Sequence, residues 1–324
     1  MNLRIIDREI VTRLLTYEAA IPLMREAMIA LSTGRTKQLL RQIVPLGVGN
    51  MFGVMPGANE STFGAKLISV FPGNFDKGLQ SHQGAVVLFD PENGEPAAIV
   101  HAGEITAIRT AAASAAATQA LARPDADVLA LLGYGEQALT HARAISRIRS
   151  LRQIRVWGRR YGSAAALAGR LSDELGVQAI AAAEVHDATA GAGIVCTVTA
   201  STEPILTSAN VEDGAHVNLV GASTSAFREA DDDLVARGRL FADHREGALR
   251  QGGEVLHAIS DGLIGEEHLL GEIGEVMDGA KPGRSSASDV TLYKSLGSVV
   301  QDLAAGWFVY RRAMALGLGV DVRF

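Results

Sequence analysis

Apolar and polar positions change their rhythm along this chain, and the change separates two kinds of architecture. Beyond about residue 127, short apolar runs alternate with stretches of helical period. Runs near 128–132, 153–157, 177–181, 193–198, 215–220 and 239–243 each have the length of one strand. That alternation predicts a parallel sheet with helices on its faces. The first part reads differently. A helix over Tyr17–Ser32 precedes four strand-like runs, Leu39–Pro45, Met51–Met55, Phe63–Phe71 and Gly84–Asp90, broken by Gly, Pro and Asn. The stretch Asp90–Pro96 is a hairpin signal, with Ala97–Ala102 as its returning strand. An antiparallel or mixed sheet with helices is expected there. From Gly103 the chain turns helical, and Ala111–Ala122 is dense in alanine, which suits a closely packed bridge. A long helix carrying Val299–Gly306 is expected to return to the first domain and make it discontinuous. The expected domains are 1–117 with 302–324, and 118–301.

The apolar run Val128–Leu132 leads straight into Gly133-Tyr134-Gly135-Glu136-Gln137-Ala138 and then an Ala-rich helical stretch. Strand, glycine turn and helix in that order suit a dinucleotide pyrophosphate. Gly133 allows the tight turn, Gly135 lets the backbone approach phosphate, and Ala138 keeps the helix near the strand. The helix N-terminus, with Glu136 and Gln137 in its first turn, offers N–H groups to an anion. The expected fold class is therefore α/β, a Rossmann-type domain plus a discontinuous α/β domain.

The second strand of that domain, Gln153–Trp157, ends in Gly158-Arg159-Arg160. A carboxylate usually stands there to accept bonds from the ribose 2′-hydroxyl of NAD. This chain has no acidic residue between Glu136 and Asp173. The guanidiniums of Arg159 and Arg160 suit a 2′-phosphate instead. NADPH is the expected cofactor, with NADH as the alternative.

Composition narrows the class. Net charge is −6, which argues against nucleic-acid binding driven by overall electrostatics. The single cysteine, Cys196, excludes an intrachain disulfide and a cysteine-clustered zinc site, and its apolar run reads as buried. No signal peptide or membrane-spanning run is expected, so the chain reads as a cytoplasmic enzyme. Asp231-Asp232-Asp233 is read as the cap of a helix over Leu234–Arg237, and no metal is expected.

Eight segments then point further: FGVMPGA (52–58), FGAKLISVFPGN (63–74), SHQGAVVLFDPENGEP (81–96), ITAIRTAAASAAAT (105–118), GYGEQA (133–138), TVTASTEPIL (197–206), VNLVGAS (217–223) and YKSLG (293–297). In this order, over nearly the whole chain, they resemble the ornithine cyclodeaminase/mu-crystallin family. The resemblance implies a homodimer whose first domain serves dimerisation and substrate binding, beside a Rossmann domain. The family includes ornithine and lysine cyclodeaminases, an archaeal type of alanine dehydrogenase and ketimine reductases, so the reaction rests on the site residues.

By the same resemblance, Arg41, Lys66 and Arg109 bind a substrate α-carboxylate. The residues give separate support: all three interrupt apolar or uncharged stretches, and a buried cation needs an anion. Taken singly, each also reads as a surface residue or a structural ion pair. Thr110 is expected to face phosphate or substrate. Thr197, Val198 and Thr199 end a strand where a cofactor lies. Val220, Gly221 and Ser223 should line the nicotinamide pocket. Lys294, Ser295 and Gly297 match a segment near the active site, with roles left open.

Ser223 bears on the reaction. Cyclodeaminases resemble this chain at 220–222 but carry aspartate next, and Gly53 similarly stands where they have an acid. A serine hydroxyl is no general base near neutrality without a partner that lowers its pKa. The expected reaction is NAD(P)H-dependent reduction of a cyclic ketimine carboxylate: Δ1-pyrroline-2-carboxylate to L-proline, or Δ1-piperideine-2-carboxylate to L-pipecolate. Lys66, Ser223 and His82 are its candidate catalytic residues. His82 reads either as a proton shuttle titrating near neutrality or as a loop or nicotinamide contact. The alternatives are an ornithine cyclodeaminase, an amino-acid dehydrogenase and a protein that holds NADPH without turnover.

Overall fold

The computed structural model describes residues 2–323 and divides the chain into two units, residues 1–109 with 298–324 and residues 110–297. In the first unit, seven strands precede the bridging helix: β1 (Asn2–Ile6), β2 (Lys37–Gln38), β3 (Gln42–Gly47), β4 (Asn50–Ala58), β5 (Phe63–Val70), β6 (His82–Phe89) and β7 (Pro96–His101). The C-terminal strand Val320–Arg323 pairs antiparallel with β1, which pairs parallel with β7. The antiparallel series β7, β6, β5, β4 follows, and β4 carries both β2 and β3. The sheet is mixed, as its turn-rich pattern predicts.

Helices Tyr17–Ser32 and Val299–Leu316 supply much of this unit's core. Met24, Met28, Leu303 and Val309 are fully buried, as are Val86 and Leu88 on β6. A Cβ on Gly306 would stand 3.4 Å from both Val86 and Leu88, so glycine permits close seating of helix on sheet.

One expected strand is broken. Leu39, Leu40 and Arg41 form no ladder, because Gln38 pairs with Gly57 while Gln42 pairs with Val54. The extra residue makes a bulge opposite Pro56, which has no N–H to return the bond it accepts from Leu39. Arg41 thus lies in a kink of the edge, not inside a strand.

The second unit is a parallel sheet built from β8 (Val128–Leu132), β9 (Gln153–Trp157), β10 (Gln178–Ala181), β11 (Ile194–Thr197), β12 (His216–Leu219), β13 (Arg239–Ala242), β14 (Leu269–Glu272) and β15 (Thr291–Lys294). Their order is β10-β9-β8-β11-β12-β15-β13-β14, and all seven neighbouring pairs run parallel. The chain steps outward from β8 to β10 and returns to β11 on β8's other side. This reversal is the switch point at which doubly wound sheets bind ligands. Buried Val, Leu and Ala of β8, β11 and β12 form the centre of this core. Asp231 caps the helix Asp232–Arg237 by accepting from Leu234 N at 2.9 Å. Among the described residues, no helix is long and apolar enough to cross a membrane.

Candidate active site

Strand alternation puts Lys66 on the inner face of β5, between Met55 of β4 and Val86 of β6. An ammonium there is almost wholly out of water, at 2% exposure. Arg109 lies in the helix Ala102–Leu121 and is also buried. Both meet a carboxylate that local sequence reading does not pair with them: Asp302, fully buried on Val299–Leu316. Lys66 Nζ donates to Asp302 Oδ1 at 3.1 Å, and Arg109 Nε donates to the same oxygen at 3.0 Å. Arg109 Nη1 also donates to Gln301 Oε1 at 2.8 Å, while Gln301 Nε2 reaches Met28 Sδ at 2.9 Å. Asp302 Oδ2 is buried and accepts no hydrogen bond among the described residues. A lone Asp in an otherwise apolar helical stretch is the signal that could have found it.

Arg41 joins this cluster electrostatically, since its charge depresses the ionisation of both Lys66 and His82. Burial pushes the Lys66 pKa down to about 8; Asp302 opposes the shift, and Arg109 and Arg41 add to it. Lys66 is therefore charged below pH 8 and surrenders its proton more easily than an exposed lysine. His82, at the start of β6, shares a 2.9 Å hydrogen bond between its Nδ1 and Ser81 Oγ. Surrounding protein, then Lys66, Arg109 and Arg41, lower its pKa to about 4. With its pKa lowered in this way the ring is neutral at pH 7, which favours the reading of His82 as a contact over that of a proton shuttle.

Gly53 lies on the same inner face as Lys66, opposite Ile68. A Cβ there would stand 3.2 Å from Ile68 Cγ2, so the strand leaves little room for the acid of the cyclodeaminases.

The second unit contains the glycine turn. Gly133 has φ +136°, and a Cβ on it would meet Val198 O at 2.7 Å, so only glycine fits. Gly135 N-caps the helix Glu136–Ser146, which has no side-chain cap. A Cβ on Gly135 would meet nothing within 4 Å, leaving the space a phosphate requires. Ala138 is fully buried, while Glu136 and Gln137 are half-buried in the first turn. These residues fit a dinucleotide. At the end of β9, Arg159 and Arg160 are both exposed. Arg160 Nε donates to Tyr134 OH at 3.1 Å, and its guanidinium lies 5.6 Å from the centre of that ring. Tyr134 also covers Gly158, where a Cβ would strike the ring at 2.2 Å.

Thr197 ends β11 with Val198 and Thr199 just beyond it, and Val220, Gly221 and Ser223 follow β12, so the fold brings these two expected groups to neighbouring strand ends. Thr110 is buried within its helix. Lys294, which closes β15, is fully buried with its ammonium 2.6 Å from Glu254 Oε2 and bonded to Ala222 O. Ser295 is buried, and Gly297, at φ +83°, donates its N–H to Asp243 Oδ2.

A glycine turn at the switch point of a parallel sheet, with a separate unit holding buried cations, is the arrangement of a dinucleotide-binding α/β protein. Within that class, the chain belongs to the ornithine cyclodeaminase/mu-crystallin family, whose model matches residues 4–316. It is 38% identical over 308 residues to the mouse ketimine reductase mu-crystallin, covering 93% of this chain and 94% of that protein. The structure of Thermococcus litoralis Δ1-pyrroline-2-carboxylate reductase, in complex with NADH and L-proline, superposes with a TM-score of 0.96 at 30% identity, covering 99% of this chain and 100% of the other. An archaeal alanine dehydrogenase dimer with bound NAD gives 0.95 at 28% identity, with both chains fully covered.

Proposed function

We propose that this chain reduces a cyclic ketimine carboxylate with NADPH: Δ1-pyrroline-2-carboxylate to L-proline, and Δ1-piperideine-2-carboxylate to L-pipecolate as a second substrate. The observation that carries this reading is the cationic cluster around Lys66. Lys66 and Arg109 both lean on one oxygen of Asp302, so the cluster has capacity for a second anion. The mouse ketimine reductase and the proline-bound archaeal reductase support the substrate class.

A dinucleotide held at the Gly133–Ala138 turn would supply the hydride that reduces the C=N carbon. Lys66, Arg109 and Arg41 hold the carboxylate and fix the orientation of the ring. The ring nitrogen must gain one proton as the carbon gains hydride. His82 is neutral at pH 7 and has no proton to spare in that form, so the Lys66 ammonium, with its pKa near 8, is the better source. Ser223 is half-buried at the β12 end and suits a hydrogen bond to the substrate or an ordered water. It offers no carboxylate for deamination, which disfavours a cyclodeaminase.

Arg159 and Arg160 support NADPH over NADH. The two similar structures hold NADH and NAD, which support the dinucleotide class. A homodimer fits the edge strand β3, where Ile43, Val44, Leu46 and the turn residue Val48 expose apolar side chains to the extent of 39%, 52%, 52% and 101%. The dimeric alanine dehydrogenase supports the same reading. A cytoplasmic setting suits a chain whose one cysteine is a buried free thiol.

The test is purified protein with NADPH and Δ1-pyrroline-2-carboxylate. Cofactor oxidation with stoichiometric L-proline is expected. Ammonia release from ornithine without net cofactor use would replace this reading with the cyclodeaminase one.

A further inference from the structure

Glu229 is fully buried and, among the described residues, has no cation as a hydrogen-bond partner. Its carboxylate ties together two chain segments. Oε1 accepts from Thr199 N and Thr199 Oγ1, both at 2.6 Å, and Oε2 accepts from Gly221 N at 2.7 Å. Thr199 follows β11 and Gly221 follows β12, so one side chain fixes the spacing of these adjacent parallel strand ends. Gly221 has no room for a side chain: a Cβ would stand 2.2 Å from Thr199 O and 2.5 Å from Glu229 Oε1.

A second anchor holds the next residue. Glu229 N donates to Glu254 Oε1 at 3.2 Å, Glu254 Oε2 pairs with Lys294 Nζ at 2.6 Å, and Lys294 donates to Ala222 O. Gly221 is therefore held through its N–H by a carboxylate, and Ala222 through its C=O by an ammonium. Glu229, Glu254 and Lys294 are all fully buried. Burying two carboxylates and one ammonium is a heavy cost for ordering two residues of loop. Packing alone does not call for it, since apolar side chains would fill the same space. The loop's backbone position is what the network specifies.

We propose that Glu229, with Glu254 and Lys294 behind it, is a positioning residue that fixes the Gly221–Ala222 backbone against the nicotinamide and so sets the geometry of hydride transfer. This rests on the reading that a nicotinamide dinucleotide occupies the ends of β11 and β12. The network touches neither substrate nor reacting atoms; it acts through Thr199, Gly221 and Ala222. Misplacing a reacting centre by about an ångström can cost about 100-fold in rate, whereas losing a contact that only helps to hold the cofactor changes its affinity.

The test compares wild type with Glu229→Gln, which keeps the shape but turns an amide NH2 toward one of the N–H donors. NADPH binding is measured first by calorimetry, then kcat, the KM for NADPH and for Δ1-pyrroline-2-carboxylate, and the isotope effect with 4-deuterated NADPH. The expected result is a kcat about 10- to 100-fold lower, a larger deuterium isotope effect and a KM for the imine within about threefold of wild type. A folded variant with unchanged kcat and isotope effect overturns the proposal, as does a loss confined to the KM for NADPH. If Glu229→Gln does not fold, Thr199→Val decides: it deletes one of the three donors, and the same changes at smaller size support the proposal, while unchanged kcat and isotope effect overturn it. Wild-type protein that binds no NADPH fails at the first measurement, and there the underlying cofactor reading falls as well.

Discussion

Arg109 donates from Nε to Asp302 Oδ1 across 3.0 Å, with the arginine side chain 5% exposed and the aspartate fully buried. Lys66 shares that oxygen, so two cations lean on one anion, and in the proposed function a substrate carboxylate completes the balance. The arrangement also explains why Lys66 is charged at all in such a place: desolvation lowers its pKa and Asp302 partly restores it.

In the proposed function Lys66 is therefore expected to set the alkaline limb of the reaction. It is protonated below about pH 8, where it would hold a carboxylate; as pH rises through 8 the charge is lost. For the free enzyme, kcat/KM should be level below pH 8 and fall by up to about tenfold per unit above it. Asp302→Asn removes the group that holds this pKa up, so the fall should begin at lower pH. The same variant should lower the unfolding free energy by about 3 kcal/mol or more, since buried cations lose their counter-ion. Initial rates across pH 6–10 and denaturant unfolding check both; an alkaline limb unmoved in Asp302→Asn would remove Lys66 from the argument.

Arg109→Ala takes away a guanidinium that bonds both Asp302 and Gln301. Hydrogen bonds to charged groups are worth about 1.5–3 kcal/mol. The KM for the imine should rise about 10- to 150-fold. Steady-state kinetics at saturating NADPH would show it, and near-normal KM would dissolve the carboxylate cluster as a substrate site.

Much of this was legible in residues that conflict with their surroundings. Gly133 is needed at φ +136°, and Lys66 and Arg109 are charges in apolar runs, so each announces itself locally. The runs of β8, β11 and β12 likewise read as strands, and all three are buried on both faces, whereas β9 alternates. Other elements gave weaker signals. The strand β15, Thr291–Lys294, is wholly buried yet contains a tyrosine and a lysine, and β14 is four residues long and ends in glutamate. Partners of the conspicuous charges were harder still. Asp302 is 193 residues from Arg109, and Glu229 reaches Thr199 across 30. Chain folding creates those pairs, and no local period encodes them. The kink at Arg41 depends on Pro56 of another strand for the same reason.

Arg159 is exposed at the end of β9 and forms no hydrogen bond or ion pair among the described residues, so its guanidinium is available to a 2′-phosphate. Arg159→Asp exchanges attraction for repulsion at that phosphate and supplies an acceptor for a ribose hydroxyl. The ratio of kcat/KM for NADPH over NADH should drop at least about tenfold. Competing the two cofactors in one assay series measures it, and a constant ratio would assign the discrimination to Arg160.

Two fully buried histidines make acid sensitivity a property of the second unit. His141 lies between Gln137 O at 2.7 Å and Ser114 Oγ at 2.9 Å; His216 lies between Thr291 Oγ1 at 3.0 Å and Asn218 Oδ1 at 3.3 Å. Burial, foremost among the causes, pushes their pKa values down to about 4 and about 3. Unfolded, both titrate near 6.5. Between 6.5 and 4 the unfolded chain binds the more protons, so stability falls as pH falls through that window. Above pH 6.5 both states are neutral and the contribution is complete. By pH 5 each histidine should have removed about 2 kcal/mol, before most carboxylates titrate. Urea unfolding at pH 7 and pH 5 should show the loss, and His216→Gln should shrink the difference between the two pH values by about half; an undiminished difference in that variant would place the acid sensitivity elsewhere.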